Sequence, residues 1–327
     1  KFMLEQKGDS LTLIHITNPT NYILLPIEEE AEESWVRLDI GDAADTDMDI
    51  RLAQTKVDYW VPFVLPADAK TVTVRVQKSL GDALCWKEMK LSDTFDPSHT
   101  DKFRPVYHHA PLYGWMNNAN GLVYEDEEYH LYYQYNPYGS KWGNMHWGHS
   151  ISKDLMHWEH LAPAIVRDTL GHIFSGSSIV DQENVAGYGT GTILAFYTSA
   201  SDKNGQIQCL AYSNDNGRTF TKYDKNPILR SSDRRKDFRD PKVFWYAPGN
   251  KWIMIVAADK EMCFYDSEDL KDWNYMSSFG EGYGVQPCQF ECPDMVELPV
   301  DGDTEHKKWV LIVNINPGCY FGGSATQ

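Results

Sequence analysis

The chain lacks several features, and each absence excludes a class. No stretch reaches the roughly 18 to 20 continuous apolar residues that span a bilayer. The first residues, Lys1-Phe2-Met3, show no secretory-signal pattern, although a removed signal would leave no trace. Positive charge is scarce: 30 Lys and Arg stand against 47 Asp and Glu, for a formal net charge of -17. Binding to nucleic acid or anionic lipid needs the opposite sign, so neither is an expected partner, and a neutral substrate fits better. Helical periodicity is nearly absent. The 6 cysteines (Cys85, Cys209, Cys263, Cys288, Cys292 and Cys319) are scattered, unlike a small disulfide scaffold. Cys288 and Cys292 form the only close pair, and His146 and His149 also sit close together. Neither pair has the further ligands a zinc site needs, so no metal and no cofactor is expected.

The chain is rich in aromatics. Of its 327 residues, 42% are hydrophobic and 13% aromatic, with 11 Trp and 19 Tyr. Such side chains fill a core, and they also stack on the apolar faces of sugars; for each one taken alone the core is the default. Short alternating runs bounded by Gly, Pro, Asn and Asp give the chain an all-β texture. In the first hundred residues these runs are Ser10 to Ile16, Tyr22 to Ile27, Trp35 to Ile40, Tyr59 to Leu65 and Thr71 to Gln77. In the last of them Val72, Val74 and Val76 alternate with polar residues, as in a half-buried strand. A small β-sandwich over residues 1–100 is expected, followed by a polar linker, Ser92 to Lys102. The acidic run Glu28 to Glu33 reads as a solvated face.

Beyond residue 105 an internal repeat appears. Ser152-Lys-Asp-Leu-Met-His-Trp158 resembles Ser267-Glu-Asp-Leu-Lys-Asp-Trp273, and Ser213-Asn-Asp-Asn-Gly-Arg-Thr-Phe220 is the same turn with one residue more. The serines lie 61 and then 54 residues apart. Periods of this size, filled with short strands, suggest propeller blades. Leu122-Val123-Tyr124, Ser178-Ile179-Val180, Lys242-Val243-Phe244 and Met295-Val296-Glu297 are the expected first strands of successive blades. The residues just before them then meet at one end of a central channel. Asp240 and Glu291 are expected at equivalent positions there, with Arg239 as the partner that keeps Asp240 ionised. Two carboxyl groups brought together in this way suit glycoside hydrolysis, in which one donates a proton and the other stays ionised.

Six boxes occur in order: Trp115-Met116-Asn117-Asn118-Ala119-Asn120-Gly121, Gln134-Tyr135-Asn136-Pro137, the run Trp142 to His149, Phe174-Ser175-Gly176-Ser177, Arg239-Asp240-Pro241 and Glu291-Cys292. Together they resemble the family 32 glycoside hydrolases: the invertases, inulinases and levanases. The likeness covers residues 107–327 and implies a five-bladed β-propeller, of which residues 101–327 supply the first three blades and the start of the fourth. It also implies retaining cleavage of β-fructofuranosidic bonds in levan, inulin or sucrose, and an extracellular, cell-surface or periplasmic location. The family's nucleophile position falls on Asn118. Glu291 matches the general acid/base, and Asp240 matches the carboxylate that binds sugar hydroxyls and stabilises the transition state. Asn117, Gln134, Trp142, Phe174, Ser175 and Arg239 match residues of the fructose pocket.

The chain departs from the family signature at two positions. Ala119 replaces Pro, which alters backbone stiffness but removes no reacting group. Asn118 replaces Asp, and a neutral amide cannot form the glycosyl ester. One reading is an active enzyme inactivated at its nucleophile, and the other is a natural fructan-binding protein without catalysis. An arabinan- or xylan-directed hydrolase on a similar propeller is more distant; the Asn-rich first box and the Glu-Cys box argue against it.

Overall fold

Alternation decides the first sheets. Along Thr71–Gln77 the three valines are buried and the residues between them face outward, because successive side chains on a strand point to opposite faces. The structure is a computed structural model that describes residues 2–78, 81–98, 104–283 and 289–315. Among these residues it is all-β, with one four-residue α-helix, α1 (Cys85–Glu88), and a 3-10 turn at Ala247–Gly249. No helix among the described residues is long and apolar enough to cross a membrane. Cys288 and Cys319, and residues 99–102 of the expected linker, lie outside the described residues. Ser92 ends a strand rather than opening the linker.

The chain folds as two compact units. The first comprises residues 1–117, 135–146 and 166–172; the second comprises residues 118–134, 147–165 and 173–327.

In the first unit the strands are β1 (Phe2–Lys7), β2 (Leu11–Thr17), β3 (Tyr22–Ile27), β4 (Ser34–Ile40), β5 (Ala43–Ile50), β6 (Tyr59–Val64), β7 (Thr71–Gln77) and β8 (Lys90–Ser92). They form a five-stranded sheet in the order β1-β2-β7-β4-β5 and a three-stranded sheet in the order β6-β3-β8. One core joins both sheets: Ile14, Val36, Met48 and Val74 from the first meet Ile23, Leu25, Val61 and Phe63 from the second, with Tyr138 in the same cluster. Three of these strands, β1, β5 and β8, are not among those expected from alternation. In β5 the acidic residues mask the alternation that buries Met48 and Ile50. Contrary to expectation, Glu28 is 9% exposed and not part of a solvated run. The Glu28 carboxylate accepts from Thr55 N at 2.8 Å, Gln54 N at 2.7 Å and Thr55 Oγ1 at 2.9 Å. These bonds, led by the Thr55 amide, pull its pKa down to about 2.

The remaining strands are β9 (Trp115–Glu125), β10 (Glu128–Asn136), β11 (His146–Ser152), β12 (Glu159–Ile165), β13 (His172–Asp181), β14 (Thr192–Ser201), β15 (Gly205–Ser213), β16 (Thr221–Lys222), β17 (Phe238–Tyr246), β18 (Lys251–Ala258), β19 (Glu261–Ser267), β20 (Asn274–Phe279), β21 (Phe290–Val300) and β22 (Asp303–Ile315). Three four-stranded sheets, β9 to β12, β13 to β16 and β17 to β20, keep sequence order from strand to strand, and β21 pairs with β22. The four predicted first strands are β9, β13, β17 and β21, each at an edge of its sheet. Gly176 permits the close approach of β13 to β14, since a Cβ there would fall on the Phe196 carbonyl.

The repeated Ser-x-Asp segment is a turn. Ser152 Oγ and Ser267 Oγ accept from the amides of Leu155 and Leu270, each at 2.8 Å. Asp154 and Asp269 accept from the amides of Met156 and Lys271, each at 2.9 Å. In the longer copy Ser213 Oγ accepts from Gly217 N at 2.9 Å. Leu155, Asn216 and Leu270, three residues after the serine in each copy, have φ of 63°, 53° and 64°. These hydrogen bonds offset the cost of that left-handed backbone, which is steep for leucine. The repeat is therefore structural.

A buried histidine pair lies in the second unit. His130 Nδ1 and His149 Nε2 are 3.0 Å apart, and the Tyr132 hydroxyl donates to Gly217 O at 2.9 Å. Burial, helped by the charges of His130 and Arg218, pushes the His149 pKa down to about 3. The unfolded chain, with a His pKa near 6.5, therefore binds a proton that the folded chain refuses. The stability His149 contributes is complete above about pH 6.5 and is lost as pH falls toward 3, at about 1 kcal/mol per pH unit. His149→Phe is expected to flatten this slope in denaturant titrations between pH 7 and pH 4. An unchanged slope would mean that other groups carry the acid sensitivity.

Candidate active site

Two β-bulges build the centre of the site. The β17–β18 register slips between Arg239 and Lys242, and the β21–β22 register slips between Glu291 and Asp294. Pro241 and Pro293 have no N–H to donate, so they fall where the ladder is already interrupted. The residue before each proline takes a left-handed backbone, with φ of 67° at Asp240 and 47° at Cys292. The two bulges thus align Arg239 with Glu291, Asp240 with Cys292 and Lys242 with Asp294.

This corrects the expectation that Asp240 and Glu291 are equivalent. They are offset by one residue, and the offset creates three links between the strands. Arg239 Nη2 donates to Glu291 Oε1 at 2.6 Å. Cys292 N donates to Asp240 Oδ2 at 2.9 Å. Lys242 Nζ pairs with Asp294 Oδ1 at 3.0 Å.

Asp240 is 6% exposed. Burial raises its pKa, and the Cys292 amide and then the nearby Arg239 charge oppose the rise. The expected direct pairing of Arg239 with Asp240 is replaced by bonds from Arg239 to Glu291 and, at 2.7 Å, to Asp237 Oδ1. Arg239 acts on Asp240 through its charge.

Asn118 Nδ2 donates to Ser175 Oγ at 3.4 Å and to Cys292 Sγ at 3.6 Å. The same sulfur lies 3.5 Å from Asp240 Oδ2, so Asn118 and Asp240 share one neighbour. Burial, together with the Asp240 and Glu291 charges, raises the Cys292 thiol pKa and keeps the thiol neutral.

Asn120, with its amide turned to satisfy every neighbour, donates to Ser175 Oγ and accepts from Gln134 Nε2, both at 3.0 Å. Gln134 also donates to Ile173 O at 2.9 Å. The Phe174 carbonyl accepts from Trp147 Nε1 at 2.9 Å. Gln134, Phe174, Ser175, Arg239, Asp240, Glu291 and Asn118 all belong to the second unit. Asn117 and Trp142 belong to the first. There Trp142 is 53% exposed and its ring centroid lies 5.5 Å from that of His172.

Behind Asp240 is a buried relay that the sequence reading missed. Asp240 N donates to Thr198 Oγ1 at 3.0 Å, Thr198 Oγ1 donates to Gln208 Oε1 at 2.6 Å, and Gln208 Nε2 donates to Phe238 O at 2.7 Å. Gln206 Oε1 accepts from Phe238 N at 2.8 Å and from Arg239 Nη1 at 3.2 Å. The available signal was two glutamines in the apolar strand Gly205–Ser213, where a buried polar side chain must find partners. Cys292 and Asn120 stood inside the recognised boxes without an assigned role.

The sequence is similar to known proteins over most of its length. The N-terminal domain model of glycosyl hydrolases family 32 matches residues 108–326, and a model described as a domain of unknown function (DUF4980) matches residues 8–107. Levanase of Bacillus subtilis (strain 168) is 50% identical over 241 residues, which is 72% of this chain and 35% of that protein. Invertase 2 of Saccharomyces cerevisiae is 43% identical over 237 residues, 68% of this chain and 44% of that protein. The crystal structure of exo-inulinase from Aspergillus awamori superposes with a TM-score of 0.62 at 37% identity, covering 67% of this chain and 48% of that one. The chain thus spans between about a third and a half of the length of these relatives. Both the family match and the ordered boxes around the Asp240 and Glu291 bulges show that the chain belongs to the glycosyl hydrolases of family 32.

Proposed function

We propose that the chain carries the catalytic positions Asn118, Asp240 and Glu291 of a retaining β-fructosidase that cleaves levan, inulin or sucrose, and that it is inactive as written because position 118 is Asn. The surroundings of Asn118 carry this reading. Among the described residues its amide nitrogen donates to Ser175 Oγ and Cys292 Sγ, both rotatable X–H groups. A carboxylate of the same size would receive a hydrogen bond from the Ser175 hydroxyl after a simple rotation.

With Asp at 118, attack on the anomeric carbon forms a glycosyl ester while Glu291 protonates the leaving oxygen. Glu291 then deprotonates the water that cleaves the ester. Asp240 accepts from sugar hydroxyls and stabilises the developing positive charge. Gln134, Phe174, Ser175 and Arg239 line the fructose pocket; the pocket roles of Asn117 and Trp142 rest on the resemblance alone. The sheets β9 to β12, β13 to β16 and β17 to β20, with the β21–β22 hairpin, are read as blades of a five-bladed propeller, and residues 1–100 as a β-sandwich. A polymeric fructan does not cross membranes, which supports an extracellular, cell-surface or periplasmic location.

The second reading, a fructan-binding protein without catalysis, is favoured by the same amide. Fructose release by Asn118→Asp separates the two.

In that background Thr198→Val leaves the Asp240 amide without its acceptor inside the core. Leaving a buried donor unpaired costs about 1 to 3 kcal/mol. The expected result is a roughly tenfold fall in kcat/KM, with Thr198→Ser restoring the parent value. Equal losses in both variants would remove the positioning role.

A further inference from the structure

The first unit holds a pocket that the proposed chemistry leaves unused. It has a volume of about 310 Å³ on one face of the five-stranded sheet and is lined by Leu11, Trp35, Arg37, Asp39, Arg75 and Gln77, with Asp42 at the turn after β4. Arg37 and Arg75 are directly opposite each other on β4 and β7. Like charges placed so cost stability unless something neutralises them. Here each has its own carboxylate: Arg37 makes two bonds to Asp47, at 2.7 and 3.0 Å, and Arg75 Nε donates to Asp39. The Arg37 guanidinium lies over the Trp35 ring, 4.8 Å from its centroid. The result is a fixed array of planar donors and acceptors beside an indole, with the exposed Gln77 amide at one end.

A ligand for this array must both donate and accept, and it must offer an apolar face to the indole. Anions are opposed by Asp39, Asp42 and Asp47 and by the net charge of -17. Cations are opposed by the two guanidiniums. A neutral polyhydroxylated ring meets every requirement, because its hydroxyls both donate and accept and its C–H face packs on aromatic surface. The volume lies at the small end of the range for ligand sites, about 300 to 1,000 Å³. We propose that this pocket is a non-catalytic binding site for a neutral glycan, namely a segment of fructan. Its identity as fructan rests on the reading of the catalytic site.

The test is retardation of the full chain in native gels containing levan, compared for the parent, Trp35→Ala and Gln77→Ala. Gln77 is exposed, so its truncation leaves the core intact. Each variant is expected to weaken apparent levan affinity at least about fivefold, the loss typical of an aromatic or polar anchor at an interface. Neither should change fructose release from sucrose in the Asn118→Asp background. Parent-like retardation of both variants overturns the pocket, as does an absence of retardation in the parent, or a stronger Trp35-dependent response to dextran sulfate than to levan. Fructose release by Asn118→Asp tests the catalytic reading separately: release without Trp35-dependent retardation sinks the pocket and leaves the enzyme standing.

Discussion

Asn118→Asp is expected to raise kcat/KM for sucrose or levan by about 10⁴-fold or more, the scale on which loss of a catalytic nucleophile is felt. The amide nitrogen has no lone pair available for attack, whereas a carboxylate at the same place has two nucleophilic oxygens. Little else needs to move, since the Ser175 hydroxyl and Cys292 thiol already lie at 3.4 and 3.6 Å. The pH profile of the restored enzyme should be bell-shaped, and its limbs report the coupled carboxyl groups rather than a single residue. The measurement belongs on the longest polypeptide that carries these residues, because the chain spans only 35% of the levanase and 44% of the invertase. Continued silence, with fructan binding intact, would leave the non-catalytic binder as the function.

The second large effect concerns Glu291. In the Asn118→Asp background, Glu291→Gln should lower kcat/KM for sucrose by about 10² to 10⁴, the range for losing a positioned general acid. The loss should shrink for an aryl β-fructoside whose leaving group departs without a proton. With that substrate hydrolysis of the ester becomes slow, so a burst of aryl alcohol is expected before steady state. Structural collapse would not produce this split. Arg239 keeps its bond to Asp237 at 2.7 Å when the Glu291 charge is removed, so its guanidinium is not left unpaired. Equal losses on both substrates, with no burst, would remove Glu291 from the acid/base role.

The boxes that carry the candidate residues were legible because each is short and local. Gln134, Ser175, Arg239, Asp240 and Glu291 could all be picked out before any fold was known. Which atoms touch was not legible. Arg239 stands next to Asp240 in sequence, yet it bonds to Glu291 across 52 positions. Two bulges set that arrangement, and a bulge is fixed by the pairing of a strand with its neighbour, which a single strand's sequence does not record. The Glu28 carboxylate likewise looks like one of a run of surface acids until the amides of Gln54 and Thr55 are seen to converge on it.

The sequence by itself determined the all-β class, the strands whose alternation is clean, the Ser-x-Asp repeat and the family. All of these depend on period, composition or a contiguous motif, and all are local. Tertiary structure alone decided the one-residue offset that pairs Asp240 with Cys292, the Thr198–Gln208 relay behind it, the neutral burial of His149 and the paired arginines beside Trp35. Each of those joins residues of different strands, and its energy comes from desolvation and hydrogen bonding that exist only once the strands are packed.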